Sequence, residues 1–183
     1  MGFEKYAPRV PLPAGSHRLG PGNATLSVHT KRSGAAAKAG HDLEIRVESW
    51  EATIEVGEEI TASLTADGAS LRVESGHGGI QSLGDDDKEN IAKTIDDEIV
   101  ERNRIMFRST SATETGEGVA LTGDLALADK TQQVTFDLVA GDDGTLTATA
   151  VVTQSGWGMK PYSILFGSLK VVDEVEVVLD GKL

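Results

Sequence analysis

The sequence has no cysteine, few aromatic residues and no long apolar run, and each absence excludes a class of protein. Without cysteine there are no disulfides, no thiolate nucleophiles and no cysteine-ligated zinc or iron–sulfur sites. Aromatic residues make up 4%, too few for the stacking platforms that bind nucleic-acid bases. No apolar run approaches the length of a membrane-spanning helix. The lack of cysteine, together with an N-terminus that lacks the apolar core of a signal peptide, predicts a cytoplasmic protein.

The charge balance is strongly acidic. The chain has 29 Asp and Glu against 17 Lys and Arg, a formal net charge of −12. DNA, RNA and anionic lipid surfaces repel such a protein, so the sequence predicts no nucleic-acid partner. Because it also lacks a long apolar run, it predicts no stable membrane insertion. At 183 residues the chain is long enough to bury one core. Because four of the five prolines lie in residues 1–21, we predict an N-terminal arm there and a single domain over residues 22–183.

Short segments of alternating apolar and polar residues follow from residue 24 onward, which is the period of half-buried strands. Residues 43–47 have apolar side chains at odd positions, whereas residues 50–56 have them at even positions. This change of phase requires a β-bulge or a corner near Ser49 and Trp50. We predict further strands over residues 59–66, 70–75, 104–114, 118–127, 132–140, 145–154 and 170–179.

Turn signals separate several of these segments. The pairs Asp67-Gly68, Glu117-Gly118 and Asp143-Gly144 are typical of tight hairpin turns. Many short strands joined by hairpins, without alternating βα units, indicate an all-β sandwich or barrel.

One helix is predicted near residues 85–101. Ile91, Ile95 and Ile99 repeat every four residues and give it a single narrow apolar stripe. Three aspartates at residues 85–87 occupy its first turn, where negative charge favours the helix dipole. The stripe is compatible both with a helix lying across the side of a barrel and with a lid over one end.

No group of residues indicates catalysis or a metal site. The histidines lack the spacing of metal ligands; they are His17, His29, His41 and His77. The glycine-rich residues 76–84 precede the helix as a phosphate-binding loop would, but Asp85 stands where such a loop requires Lys. We therefore predict no catalytic residue, no metal and no cofactor.

An apolar segment lies near the C-terminus, at residues 156–167, and contains Trp157, Tyr162 and Phe166. It falls between two predicted strands but is too apolar to lie flat in water. It therefore either plugs one end of a barrel or forms part of a ligand mouth.

The order of the later segments resembles the YceI-like family, over roughly residues 22–181. The matching segments are IMFRST (105–110), LTGDL (121–125), TQQV (131–134), WGMKP (157–161), LKV (169–171) and DEVEV (173–177). They are similar to that family's I-x-F-x-S, G-x-L and T-x-x-V runs and to its final loop and last strand. The resemblance implies an all-β, antiparallel, eight-stranded lipocalin-like barrel with a helix near one end. It also implies a long apolar cavity that encloses an isoprenoid or fatty amphiphile.

An eight-stranded barrel is just wide enough to be filled by side chains or to hold one small ligand. We predict that it binds an elongated apolar ligand such as a polyisoprenoid, an isoprenoid quinone or a fatty amphiphile, as a carrier or by sequestration. The predicted ligand-binding residues come from strand positions of one parity and from the mouth loop. They are Ile45, Val47, Phe107, Val134, Phe136, Trp157, Met159, Tyr162, Leu165 and Phe166.

Two other functions remain open from the sequence. One is a filled barrel that serves as a protein-interaction module through its acidic surface and binds no ligand. The other is a small barrel enzyme that uses His41 or His77 as an acid or base on a hydrophobic substrate. A homodimer formed through edge strands is compatible with the pattern, but no residue requires one.

Overall fold

The computed structural model describes residues 12–101, 104–116 and 118–183, so residues 1–11 of the predicted arm lie outside the described residues. Its strands, in chain order, are β1 (Gly15–Leu19), β2 (Ala24–His29), β3 (Arg32–Ser33), β4 (His41–Val47), β5 (Trp50–Val56), β6 (Ile60–Asp67), β7 (Leu71–Gly78), β8 (Arg104–Thr115), β9 (Gly118–Leu127), β10 (Lys130–Ala140), β11 (Thr145–Thr153), β12 (Ser163–Ile164), β13 (Leu169–Val171) and β14 (Glu174–Lys182). The helix α1 spans Asp85–Thr94 and continues as a π-helix over Ile95–Ile99.

Eleven strands form one antiparallel sheet in the order β1-β5-β6-β8-β9-β10-β11-β14-β2-β4-β7. The two end strands of this order, β1 and β7, each continue along the chain into a strand that lies further inside the order. β1 leads into β2, β6 leads into β7, and β4 likewise leads into β5. Each of these three pairs is one long strand interrupted by a kink, and with β8, β9, β10, β11 and β14 they make eight strand paths. Since β2 pairs with both β14 and β4, the eight paths form a closed circuit.

The predicted all-β antiparallel barrel with a single helix is therefore confirmed for the described residues. The number of strands in the large sheet is eleven rather than eight, because kinks divide three of the paths. The segment predicted as an arm also contributes β1, which pairs with β5 from Gly15↔Val56 to Leu19↔Ala52.

The predicted corner between residues 47 and 50 is present and is stabilised by Ser70. The buried Ser70 hydroxyl accepts a hydrogen bond from the Ser49 amide at 3.0 Å and donates one to the Asp67 carbonyl at 2.8 Å. Because two residues separate β4 from β5, the apolar positions change parity while both strands keep their apolar side chains inside.

The prediction of a hairpin turn at Asp67-Gly68 is wrong. The Asp67 carboxylate accepts a hydrogen bond from the Ala69 amide at 2.9 Å and caps a 3-10 turn that joins β6 to β7 without reversing the chain. Asp143-Gly144, in contrast, does lie in the turn between β10 and β11, where Gly144 has a φ of 82°. The predicted strand over 170–179 is divided into β13 and β14.

The barrel interior is packed in one half and hollow in the other. In the packed half, Leu121, Leu138 and Leu146 are at most 2% exposed. Further along the same three strands, Leu125, Phe136 and Ala150 instead line a cavity. We call these regions the packed half and the hollow half.

The helix α1 packs on β7 beside the hollow half. Its first turn is capped by the Asp87 carboxylate, which accepts a hydrogen bond from the Gly84 amide at 2.9 Å. Its end widens because the Val100 amide donates to the Ile95 carbonyl, five residues back, at 2.9 Å. The predicted helix at residues 85–101 is thus confirmed, with helical structure ending at Ile99.

A second, three-stranded sheet in the order β12-β13-β3 brings the apolar C-terminal segment against residues 31–40. The pairings Lys170↔Ser33 and Val171↔Arg32 fix its register, and the Ala36 amide donates to the Ser168 carbonyl at 2.7 Å. This small sheet lies at the hollow half, because Arg32 and Val171 line the cavity.

Candidate functional site

The hollow half contains a cavity of about 520 Å³. Its wall is formed by alternate residues of β2, β4, β6, β8, β9, β10, β11 and β14, and most of these side chains are aliphatic. Alternation explains the arrangement, because every second residue of a strand faces the same side of its sheet. The volume lies within the range of about 300–1,000 Å³ that is typical of small-molecule sites.

Two phenylalanines form an aromatic section of this wall. The rings of Phe107 on β8 and Phe136 on β10 lie with their centroids 5.3 Å apart and their planes tilted by 55°. Tilted pairs at this distance are favourable because the edge of one ring meets the face of the other. On β9, Phe107 pairs with Leu125 and Phe136 with Leu121, and Gly123 between these two positions leaves room for the Phe107 ring.

Most of the residues predicted for the site are brought together by the barrel. Seven of the ten line the cavity: Ile45, Val47, Phe107, Val134, Phe136, Met159 and Tyr162. They come from β4, β8, β10 and the segment before β12, which sequence separation alone does not place side by side.

The other three predicted residues do not line it. Trp157 is buried in a neighbouring cluster, where its indole N–H donates to the Leu125 carbonyl at 3.0 Å. Leu165 and Phe166 are exposed and adopt left-handed backbone conformations, with φ of 53° and 55°. The apolar C-terminal segment thus divides, since Met159 and Tyr162 face the cavity while its tip points outward.

The helix forms one wall of the cavity through its isoleucine stripe. Ile91, Ile95 and Ile99, the three residues that define the predicted stripe, all line the cavity. The π-helical end keeps Ile95 and Ile99 on the same side. The stripe is evident in the sequence, but its contact with a cavity is not, because a narrow apolar face is equally typical of packing on a filled core.

One end of the cavity is polar. Its lining there includes Arg32, His41, Gln154, Tyr162 and Lys170. The Arg32 guanidinium donates through Nη1 to the carbonyls of His77 at 2.6 Å and Gly40 at 3.1 Å. Strand parity missed Arg32, because it lies in the small-residue stretch 31–40 that shows no clear period.

The four histidines lie within hydrogen-bonding distance of neutral oxygen atoms of the protein. His41 Nε2 lies 2.7 Å from the Gln81 carbonyl, and His77 Nε2 lies 3.5 Å from the Ser75 hydroxyl. Within residues 12–101, 104–116 and 118–183, no three His, Asp or Glu side chains are grouped so that they could hold a metal ion.

The fold and the cavity together define a class of protein: small antiparallel barrels with an internal apolar cavity at one end. A model of the YceI-like domain matches residues 26–183. The chain therefore belongs to the YceI-like family, as the resemblance of its segments predicted. No curated protein matches the sequence.

The chain is similar to solved structures, and the first of them shows the same fold. BcnA from Burkholderia cenocepacia is 18% identical, with a TM-score of 0.61 over 86% of this chain and 94% of that chain. A mutant of the Campylobacter jejuni YceI protein is 14% identical, with a TM-score of 0.48 over 76% of this chain and 85% of that one.

In the part of the chain that the structure describes, no helix has both the length and the apolar character needed to cross a bilayer.

Proposed function

We propose that the hollow half binds one elongated apolar ligand, such as a polyisoprenoid, an isoprenoid quinone or a fatty amphiphile, and that the protein acts as its carrier or sequesters it. The observation that carries this proposal is the cavity of about 520 Å³ with largely aliphatic walls. Water gains few hydrogen bonds in such a space, whereas an alkyl or prenyl chain fills it with favourable contacts.

The free energy available from apolar contact alone is limited. A ligand that buries about 400 Å² of apolar surface gains roughly 10 kcal/mol, and the loss of freedom on binding offsets about half of that gain. The remaining roughly 5 kcal/mol corresponds to a submillimolar Kd. Tighter binding therefore needs either a larger buried area or contacts at the polar end of the cavity.

We propose that the ligand contacts the seven predicted residues on the cavity wall and the isoleucine stripe of the helix. A ligand-binding role for Trp157, Leu165 and Phe166 stays a prediction, and so do the cytoplasmic location and the homodimer. The filled-barrel module is less well supported than ligand binding, because its premise is an interior without a sizeable cavity. No arrangement of His41 or His77 favours the enzyme alternative.

The first test is native mass spectrometry of protein purified without detergent, followed by solvent extraction and identification of any bound lipid. We expect a discrete additional mass that extracts as an isoprenoid or fatty amphiphile. An apo mass, with no uptake of added quinone, polyprenol or fatty acid, would remove support for the proposal and favour the filled-barrel module.

A matched pair of variants on β11 tests whether the ligand occupies this cavity. Ala150 lines the cavity, whereas Val151 is 54% exposed on the outer face. We expect Ala150→Trp to fill the cavity and abolish lipid uptake, and Val151→Trp to leave uptake unchanged. Equal uptake by both folded variants would place the ligand elsewhere.

A further inference from the structure

The charges that line the cavity differ in sign from those of the chain as a whole. The chain has 29 Asp and Glu residues and a formal net charge of −12. Among the described residues that line the cavity, however, there is no Asp and no Glu. The charged or titratable residues that do line it are Arg32, His41, Tyr162 and Lys170, of which Lys170 is exposed and lies on β13 between the half-buried Leu169 and Val171. The interior is therefore electropositive at its polar end.

Arg32 is held in place at this end by neutral groups. Its guanidinium uses Nη1 for both carbonyl contacts, and no carboxylate among the described residues forms an ion pair with it. The neighbouring Asp42 carboxylate accepts its hydrogen bond from the backbone amide of Arg32, at 2.8 Å, rather than from the guanidinium. Nε and Nη2 have no hydrogen-bond partner in the described part of the chain.

Two glycines leave room for the Arg32 and His41 side chains to approach the backbone at the polar end. A Cβ on Gly78 would lie 1.7 Å from Arg32 Nη1, and a Cβ on Gly79 would lie 2.3 Å from His41 Nε2. Both glycines have positive φ, 85° and 78°, so the backbone there is also of a kind that other residues rarely adopt. The local sequence is thus suited to placing a guanidinium at the cavity wall.

A guanidinium at the edge of an apolar cavity gains more from an anionic partner than one in water does, because charge–charge attraction is less screened there. Its planar donors match the oxygens of a carboxylate or a phosphate. We propose that the ligand is an amphiphile with an anionic headgroup, a carboxylate or a phosphate, that pairs with Arg32 while its chain occupies the hollow half. This inference rests on the proposed function, because it assumes that a lipid chain fills the cavity.

The test compares probes that share one chain and differ in headgroup. Binding of dodecanoate, dodecyl phosphate and dodecyltrimethylammonium is measured by isothermal titration calorimetry below their critical micelle concentrations. Binding of 1-dodecanol, which forms no micelles, is measured in the same way below its solubility limit. Delipidated full-length protein is used at a pH where the carboxylate and phosphate are ionised. Sodium phosphate alone is the control for a free-anion site, and comparison of dodecanoate with dodecyl phosphate identifies the preferred headgroup.

Three variants accompany these probes. Arg32→Gln removes the charge, and Arg32→Lys keeps a charge without the planar donors. Arg46→Gln is the matched control, because Arg46 lies on the outer face of β4 and forms an ion pair with Glu74 at 2.8 Å. Circular dichroism and urea unfolding establish that each variant is folded.

We expect the wild-type protein to bind at least one anionic probe about tenfold or more tightly than 1-dodecanol, which is the range of a charge-assisted hydrogen bond. Arg32→Gln should lose this preference while still binding 1-dodecanol, Arg32→Lys should retain part of it, and Arg46→Gln should retain all of it. If Arg32→Gln does not fold, the wild-type preference and that of Arg32→Lys decide the question.

Equal affinity of the wild type for 1-dodecanol and both anionic probes, or a preference unchanged in Arg32→Gln, would overturn this inference and leave the proposed function intact. Phosphate alone binding as tightly as dodecyl phosphate would also overturn it, since the site would then recognise a free ion. Failure of every probe to bind would instead contradict the proposed function itself.

Discussion

The division of the barrel into a packed half and a hollow half predicts that two leucines on one strand differ in their importance for stability. Leu121 and Leu125 both lie on β9 and both point inward. Leu121 is 1% exposed in the packed half, whereas Leu125 is half-buried and lines the cavity. The paired changes Leu121→Ala and Leu125→Ala therefore remove the same atoms from two different environments.

The magnitudes follow from what each side chain contacts. Leu121→Ala creates a new void in a closely packed region and should cost about 2–5 kcal/mol of unfolding free energy. Leu125→Ala only enlarges an existing cavity, so we expect the loss of a partial transfer term of about 1 kcal/mol. In a domain of this size each kcal/mol lowers Tm by about 2–4 °C.

Urea unfolding of delipidated protein, followed by circular dichroism, measures both free energies. Phe136 and Leu138 on β10 provide an independent pair, because the first lines the cavity and the second is 2% exposed in the packed half. Equal losses for Leu121→Ala and Leu125→Ala would refute the reasoning, since they would mean that the hollow half is as closely packed as the other half in solution.

Three further predictions concern local structure. Hydrogen bonds from the Thr145 hydroxyl, and secondly from its backbone amide, hold the pKa of Asp143 below its ordinary value. Thr145→Val should raise that pKa, which an NMR titration measures. Any stability from this contact should be lost only as pH falls through the lowered pKa, which unfolding at acidic pH can follow. Gly123→Ala should cost about 1–3 kcal/mol in urea unfolding, because a Cβ there lies 2.4 Å from the Arg108 carbonyl oxygen; a neutral effect would show that β8 yields freely. Phe166 has an exposed side chain and a left-handed backbone conformation. Phe166→Gly should raise Tm slightly, because it relieves about 1 kcal/mol of backbone strain. A clear fall in Tm would mean that the ring packs on the protein.

Much of the fold could be predicted from the sequence because strand parity is a local property. The change of phase before Trp50 predicted the corner, and the four-residue repeat from Ile91 to Ile99 predicted both the helix and its apolar face. The turn between β9 and β10 carries no such signal, since Ala128 and Asp129 adopt positive φ without glycine.

The extent of the cavity could be predicted only in part. Parity indicates that Val134 and Leu138 both point inward, but it does not indicate which of them meets a facing side chain across the barrel. That difference depends on helix placement and on the summed volumes of eight strand paths. Trp157 illustrates a second limit, because the sequence indicates neither the hydrogen bond from its indole N–H to the Leu125 carbonyl nor its burial in a neighbouring core cluster.

The closed circuit of strands also has a consequence for how the protein is made. The circuit is completed where β2 meets β14, in a register that places His29 opposite Glu176. Contacts between residues so distant in sequence form slowly, because a long loop must close before they are gained. A nascent chain on the ribosome cannot complete the barrel until β14 has emerged from the exit tunnel. Until then β2 and β11 present unpaired edges to other chains, so the final strand determines when the protein is protected from aggregation.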